Sequence, residues 1–218
     1  MLTRLPSASR LLVLIGGVLA MASPAFAQLG VQPAERWIPM LDSVERLEAM
    51  RVPDLMARLG VQREMVVADV GAGSGVLTGP LALATGPRGT VYASDIDPAL
   101  LTHIEQRAQS SRLPNVRTVL GSFTDPKLPV PVDLAVMNDV LHHVQDRPAY
   151  LQTLAGQIKR GGRLAIIDYT ADGTPHKNAP DLVVSQAQVD EWATLAGLVR
   201  SEAFSLYTDR YFVIYTKK

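Results

Sequence analysis

VVADVGAGSGVLTG, the stretch from Val66 to Gly79, joins an apolar run to an acid and then to three alternating glycines. The apolar residues predict a buried strand that carries Asp69 near its carboxyl end. Gly71, Gly73 and Gly75 predict a turn at which a ligand lies against bare backbone. A phosphate would suit that backbone but would be repelled by the carboxylate, so the stretch favours a ligand that carries positive charge.

Strands and helices alternate on the C-terminal side of this stretch, and a helical segment precedes it at Trp37–Gly60. The apolar patterns predict strands at Met65–Val70, Thr90–Asp95, Val116–Leu120, Val132–Met137, Arg163–Tyr169, Glu202–Tyr207 and Tyr211–Thr216. They predict helices at Ser74–Ala84, Pro98–Ser110, Arg147–Ile158 and Gln186–Ala196. Such alternation indicates an α/β fold, a doubly wound and mostly parallel sheet of seven strands. The short link between the last two strands predicts a hairpin, and therefore an antiparallel last strand.

Composition excludes several classes of function. The 218 residues suit one domain, and 21 Lys and Arg balance 21 Asp and Glu. Without a strongly basic surface, nucleic acid is not expected as a partner. The absence of cysteine excludes disulfides, thiolate metal sites and a cysteine nucleophile.

The first residues have the layout of a secretory signal peptide. Two arginines precede the apolar run Leu11–Ala22, and the small-x-small sequence Ala25–Ala27 follows it. We therefore expect a signal peptide at residues 1–27, cleavage before Gln28, and export to a bacterial periplasm without a remaining membrane span. An uncleaved leader that anchors the protein in the membrane is the alternative.

Polar side chains are expected at the carboxyl ends of several strands, where open parallel sheets bind their ligands. They are Asp69, Asp95, Asn138, Asp139 and Asp168. Each one alone is better explained as an ordinary loop residue or a helix cap. Together they predict a ligand site along one rim of the sheet.

A nicotinamide-dependent dehydrogenase is the first alternative for such a site. Its glycine pattern is G-x-G-x-x-G, and Val76 stands where the third glycine of that pattern is required. The sequence also lacks a Tyr-x-x-x-Lys pair for short-chain hydride transfer. The dehydrogenase is therefore the weaker interpretation.

ADVGAGSG resembles the first motif of class I S-adenosylmethionine (SAM)-dependent methyltransferases, acid-x-Gly-x-Gly-x-Gly. VYASDIDPALL resembles the second segment of that family. VDLAVMNDVLHHV and IKRGGRLAIIDYT are similar to its fourth strand, Gly-Gly turn and fifth strand. The resemblance covers nearly all of Val61–Lys218 and implies a Rossmann-like methyltransferase domain at 61–218, after a helical segment at 28–60 that is expected to lie over the cofactor or to pack on the sheet.

The resemblance implies S-adenosyl-L-methionine as cofactor. Its binding residues would be Asp69, Gly71, Ala72, Gly73, Gly75, Asp95, Ile96, Ser122, Phe123 and Asn138. Asp69 suits the positive charge of the cofactor, Asp95 would hold the ribose hydroxyls, and Ile96 would pack on the adenine. In LGSFTD, Ser122 stands where the family often has an acid, so contacts to the adenine amine are the weakest part of the resemblance.

The expected reaction is an in-line transfer of a methyl group to a small-molecule acceptor (EC 2.1.1.-), whose identity the sequence does not give. Three histidines are candidate general bases, His142 and His143 after the fourth strand and His176 after the fifth. Each of them could equally be a packed or solvated residue.

No metal site is expected. A magnesium-assisted route would need Asp139 and Asp168, but the Asp-Asn pair typical of that route is Asp168-Tyr169 here. An exported protein of the same fold that binds SAM, a nucleoside or a metabolite without turnover is the alternative function. The sequence does not predict an oligomeric state.

Overall fold

The structure is a computed structural model that describes residues 34–218. The predicted signal peptide at 1–27 lies outside the described residues. None of the helices within the described part is both long and apolar enough to cross a membrane.

Seven strands form one sheet, as the sequence predicts. They are β1 (Val66–Val70), β2 (Thr90–Asp95), β3 (Val116–Leu120), β4 (Val132–Asn138), β5 (Ile158–Tyr169), β6 (Leu198–Phe204) and β7 (Arg210–Lys217). Their order is β3-β2-β1-β4-β5-β7-β6. Strand β7 lies between β5 and β6 and is antiparallel to both, while the pairs on the β5–β3 side are parallel. The doubly wound sheet and its antiparallel last strand are therefore confirmed.

The helices cover the two faces of this sheet. They are α1 (Ala34–Leu41), α2 (Val44–Met50), α3 (Val52–Leu59), α4 (Thr78–Thr85), α5 (Pro98–Ser110), α6 (Arg147–Gly156) and α7 (Gln186–Leu195), with short 3-10 turns at Leu141–His143 and Pro180–Leu182. Successive residues of a strand point to opposite sides of the sheet. Because the strands are apolar at both sets of positions, each face of the sheet carries its own core. In β1, Ala68 belongs to the core beneath α6 and α7, while its neighbour Val67 belongs to the core beneath α3 and α4.

Helix α4 begins later than predicted. The sequence predicts a helix from Ser74, but the chain remains a turn until Leu77 and the helix starts at Thr78. The reason is the backbone of the glycine turn: Gly71, Gly73 and Gly75 have φ values of 70°, 57° and 80°, which an α-helix does not allow.

The N-terminal helical segment differs from the prediction in its exposed face. The sequence predicts a helix in which Leu41, Val44 and Leu47 share a face, and a second short helix that begins at Pro53 and ends at Gly60. The second helix is confirmed as α3, but the first is divided into α1 and α2, and Val44 and Leu47 are 65% and 38% exposed. The segment is anchored by Met50, Leu55 and Leu59, which are buried against the sheet.

Candidate active site

A cavity opens at the carboxyl ends of β1, β2 and β4, on the rim that the sequence predicts. Including its mouth, which is open to solvent, it encloses about 1380 Å³. Nine of the ten predicted cofactor-binding residues line it: Asp69, Gly71, Ala72, Gly73, Asp95, Ile96, Ser122, Phe123 and Asn138. The tenth, Gly75, lies behind the turn, where an added Cβ would come within 2.8 Å of Ile104.

The glycine turn is held against β2 by its own backbone. The N–H groups of Gly71 and Ala72 both donate to the Ser94 carbonyl, at 2.8 and 3.0 Å. A Cβ on Gly71 would stand 2.5 Å from Val140, so no other residue fits there without displacing the segment after β4. The turn therefore leaves a shallow wall of backbone on the cavity side.

Asp69 is the buried acid of this wall. Its side chain accepts a 2.6 Å hydrogen bond from the Thr78 hydroxyl, and the residue is only 3% exposed. Burial raises the pKa of Asp69 from 3.8 to about 6, and the neighbouring Asp95 adds to the rise, while the bond from Thr78 opposes it. A cation placed beside Asp69 would favour its ionised form and lower that pKa.

Asp95 stands at the tip of β2, bridging the turn to the start of α5. One carboxylate oxygen accepts from Gly73 N at 2.8 Å and the other from Asp97 N at 3.1 Å. Burial raises the pKa of Asp95, and these backbone N–H groups counteract the rise. Each carboxylate oxygen retains acceptor capacity for a hydroxyl on the ligand.

The far end of the cavity is apolar. Ile96 and Phe123 line it and are 36% and 54% exposed, which leaves their side chains free to contact a flat ring. Between them and the sheet, the Ser122 hydroxyl donates to the Asp125 carbonyl at 3.3 Å. Ser122 is therefore partly engaged within its own turn.

Residues of the N-terminal helices α1 and α2 line one side of the cavity. Trp37, Met40 and Leu41 of α1 line it. Asp42, just after α1, accepts a 2.6 Å hydrogen bond from the Ser74 hydroxyl. It also pairs with Arg107 of α5 at 3.0 Å, so polar contacts fix this helical segment to both the glycine turn and α5.

A second polar contact joins α2 to the end of β4. Asp139 accepts from Arg46 of α2 at 3.3 Å and from Arg210 of β7 at 2.8 Å. The Arg210 guanidinium also donates to the Tyr169 hydroxyl at 2.6 Å. Because both oxygens of Asp139 are paired with arginines, the magnesium route that would use Asp139 and Asp168 is not supported.

The three candidate bases come together beside the cavity. The ring centroids of His142 and His143 are 4.0 Å apart, and the His176 ring lies 5.2 Å from the first and 5.6 Å from the second. Of the three, His143 lines the cavity, whereas His142 is buried and bonded to Asp168 through its ring nitrogen at 2.6 Å. Asp168 thus turns away from the cavity, unlike the other predicted rim residues.

His143 is uncharged at neutral pH. Burial and the neighbouring His142 and His176 together lower the pKa of His143 to about 3, although Asp168 opposes the change. The pKa of His176 is also lowered, by burial first and by His142. A neutral imidazole can accept a proton or bind a metal ion, but so low a pKa makes His143 a weak general base.

Two aromatic residues of the cavity, Tyr150 and Trp37, are among the lining residues that were not predicted from the sequence. Tyr150 of α6 is buried with its pKa raised by burial, and Trp37 has an indole N–H with no hydrogen-bond partner within residues 34–218. The unpaired N–H of Trp37 points to a missing acceptor, since buried donors are rarely left unsatisfied. In the sequence, only the presence of an aromatic residue in the helical segment could have indicated that Trp37 lines the cavity.

Comparison with known families bears on this site. A family model described as "Methyltransferase domain" matches residues 62–204. The chain belongs to this methyltransferase family. The family uses S-adenosylmethionine as its methyl donor, which confirms the predicted cofactor and removes the dehydrogenase alternative.

Individual relatives of this methyltransferase are similar over part of their length. A demethylmenaquinone methyltransferase of Geobacillus sp. (strain WCH70) is 30% identical over 118 residues, which are 53% of this chain and 50% of the relative. A trans-aconitate 2-methyltransferase of Mycolicibacterium gilvum (strain PYR-GCK) is 30% identical over 144 residues, 65% of this chain and 51% of the relative. The chain spans about half the length of the curated relatives that it matches.

Solved structures share the fold of this methyltransferase. A SAM-dependent methyltransferase from Aquifex aeolicus superposes with a TM-score of 0.76 at 24% identity, covering 86% of this chain and 100% of that one. Magnesium protoporphyrin IX methyltransferase from Synechocystis PCC 6803, with bound SAH, gives a TM-score of 0.65 at 19% identity, covering 85% and 93%. At these identities the likeness concerns the fold.

Proposed function

We propose that this protein transfers a methyl group from SAM to a small-molecule acceptor bound in the same cavity. The observation that carries the proposal is the cavity itself, in which a buried acid, a bare glycine turn and a strand-tip acid meet beside an apolar wall. The family supports methyl transfer over binding without turnover.

The chemistry of the cavity fits SAM at each end. Asp69 would attract the ammonium group of the methionine portion, whose carboxylate can lie against the turn at Gly71–Gly73. Asp95 would accept hydrogen bonds from the ribose hydroxyls. Ile96 and Phe123 would pack on the adenine ring. Asn138, at the tip of β4, completes the wall between the two carboxylates and the acceptor.

Bound SAM supplies a methyl group on a sulfonium, which is already a good leaving group. The work of the protein is therefore to hold the acceptor in line with that methyl and to exclude water. Trp37, Met40 and Leu41 would do both, since they form an apolar wall on one side of the cavity. This lining favours an acceptor with an apolar body, and the Trp37 N–H, which has no partner among residues 34–218, can donate to one of its oxygen atoms.

Replacing the strand-tip acid tests the cofactor site. In calorimetric titrations with SAM or its demethylated product, Asp95→Ala should weaken binding at least about tenfold, since a hydrogen-bonded charged group is lost. Asp172→Ala is the matched control, because Asp172 is exposed on the loop after β5. Equal affinities of the Asp95→Ala variant and wild type would refute the ribose assignment.

Turnover requires a separate test. Purified protein incubated with methyl-labelled SAM and pooled small metabolites should label at least one acceptor. SAM binding without labelling in any pool would instead support the alternative, a protein that binds the cofactor without turnover.

We further propose that the protein acts outside the cytoplasm. The proposal rests on the signal-peptide layout of residues 1–27. N-terminal sequencing of protein from the periplasmic fraction should then begin near Gln28. A chain that starts at Met1 in the soluble cytoplasmic fraction would contradict export.

A further inference from the structure

Three histidines from two separate segments meet at one point of the structure. His142 and His143 stand on the 3-10 turn after β4, and His176 stands on the irregular loop after β5. One ring nitrogen from each of them can be chosen such that all lie within 4.8 Å of one another. Within residues 34–218, no hydrogen bond satisfies the ring nitrogens of His143 or His176.

His142 is held in the orientation that metal-binding histidines usually have. Its Nδ1 lies 2.6 Å from Oδ1 of Asp168, a carboxylate that is 1% exposed. The other oxygen of Asp168 accepts from the His142 backbone N–H at 3.0 Å. Oδ1 of Asp168 also accepts from the Tyr169 backbone N–H at 2.8 Å, so both oxygens act as acceptors, and Nδ1–H as the donor to Asp168 leaves the lone pair on Nε2. A carboxylate–histidine pair of this kind fixes the tautomer of a metal ligand.

The segment that carries His142 and His143 is braced. Arg147 donates to the carbonyl groups of Leu141 at 3.2 Å and His142 at 2.8 Å. The two rings are thus held by the fold, whereas His176 stands on a loop without regular structure. Zn–N bonds of about 2.0–2.1 Å place tetrahedral ligand nitrogens about 3.4 Å apart. Since the chosen nitrogens lie within 4.8 Å of one another, closing the site would need them to approach by up to about 1.4 Å, which the loop of His176 can supply.

We propose that His142, His143 and His176 bind a zinc ion, with Asp168 orienting His142. Three imidazole ligands without a free carboxylate suit Zn²⁺ better than Mg²⁺ or Ca²⁺, which take oxygen ligands. Three protein ligands leave the fourth tetrahedral position open, as in catalytic zinc sites. The sequence does not reveal this site, because 32 residues separate His143 from His176 and the loop geometry decides whether they meet.

The position of the proposed zinc ion suggests a role for it in methyl transfer. His143 lines the cavity, so the ion would lie at its edge, on the side of the acceptor. A hydroxyl or thiol of the acceptor bound at the open position would release its proton to solvent more readily. This role rests on the proposed methyl transfer, whereas zinc binding itself does not.

Zinc titration tests the site. Protein purified without a polyhistidine tag, freed of metal by a chelator and dialysed, should bind about one Zn²⁺ per chain, the stoichiometry of a three-ligand site. His176→Ala should weaken binding at least about a hundredfold, more than the loss of an orienting partner usually does. His103→Ala is the matched control, because His103 is the remaining one of the four histidines in the sequence and lies on α5.

A second variant separates orientation from ligation. Asp168→Asn should weaken zinc binding about 10- to 100-fold, and cobalt(II) bound to wild type should show the visible absorption of a tetrahedral ion. Circular dichroism checks that the variants fold. Zinc affinity that is unchanged in His176→Ala, or wild-type protein that binds SAM but no zinc, would refute the zinc site alone. Zinc binding without SAM binding would instead refute the proposed methyl transfer.

Discussion

The buried acid of the glycine turn predicts a dependence of cofactor affinity on pH. The pKa of Asp69 is raised to about 6 because the fold removes its carboxyl from water. The ionised form is the one that attracts the ammonium group of SAM. Lowering the pH through 6 should therefore protonate Asp69 and weaken binding.

The size of this effect follows from the pKa. The ionised fraction of Asp69 falls from about nine tenths at pH 7 to about one tenth at pH 5. If the bound cofactor lowers the pKa to its ordinary range, SAM affinity should fall about tenfold between these two pH values. Binding at pH 5 should also release a proton from Asp69.

The same acid should lower the stability of the ligand-free protein. Folding raises the pKa of Asp69 from 3.8 to about 6, so stability is greater below pH 3.8 and is lost as the pH rises through 6. At pH 7 the cost is about 3 kcal/mol. Asp69→Asn removes the charge but keeps an oxygen that can accept from Thr78. We expect this variant to be up to about 3 kcal/mol more stable at pH 7 and to bind SAM at least about tenfold more weakly.

Calorimetry at pH 7 and pH 5, in buffers of different ionisation enthalpy, measures both the affinity and the proton release. Urea unfolding of the ligand-free protein gives the stability. Asp69→Asn should show a flat affinity profile between the two pH values, whereas the exposed Asp172→Asn should behave as wild type. A variant that keeps the pH dependence of wild type would refute the assignment of this titration to Asp69.

Two further predictions concern the stability of the rim, each measured by urea unfolding. Gly71→Ala should cost about 3 kcal/mol, because a Cβ there meets a neighbouring side chain at 2.5 Å in a left-handed backbone conformation. Gly161→Ala has a similar φ but open space, so it should cost only about 1 kcal/mol, and equal losses would contradict the clash. Arg210→Ala leaves Asp139 nearly buried without its closer partner and should cost about 3 kcal/mol. Arg46→Ala removes the longer and more exposed pair and should cost at most about 1 kcal/mol, so the reverse order would show that Arg46 is the main partner.

Much of the fold could be predicted where residues such as helix caps and prolines mark the ends of helices and strands. The bounds of β2, α5 and β3 agree with the prediction, since Asp97 caps α5 and Pro98 begins it. The predicted start of α4 was wrong because the helical pattern in the sequence extends into a turn whose glycines adopt left-handed conformations. The prediction that the apolar face of α2 is buried was wrong, because an amphipathic pattern shows that a face is apolar but not what covers it.

The candidate site was likewise predicted only in part from the sequence. The positions of Asp69 and Asp95 follow from strand ends, which sequence patterns locate. The partners of Asp139 and Asp168 do not follow, because an arginine of β7 and a histidine after β4 reach them across the sheet. Such contacts depend on the order of the strands, which no local pattern contains.

The position of β7 in the sheet has a consequence for the order of folding. β6 is made before β7, yet within the described residues its sheet partner is β7. β6 therefore cannot join the sheet during synthesis until β7 has emerged, whereas β1 to β5 can already pair with one another. Until then, the edge of β5 that faces away from β4 is unpaired, and Arg210 is not available to Asp139. The five-stranded part can form early, but the wall of the cavity beside Asp139 is completed only when the β6–β7 hairpin docks, so cofactor binding should appear late in folding.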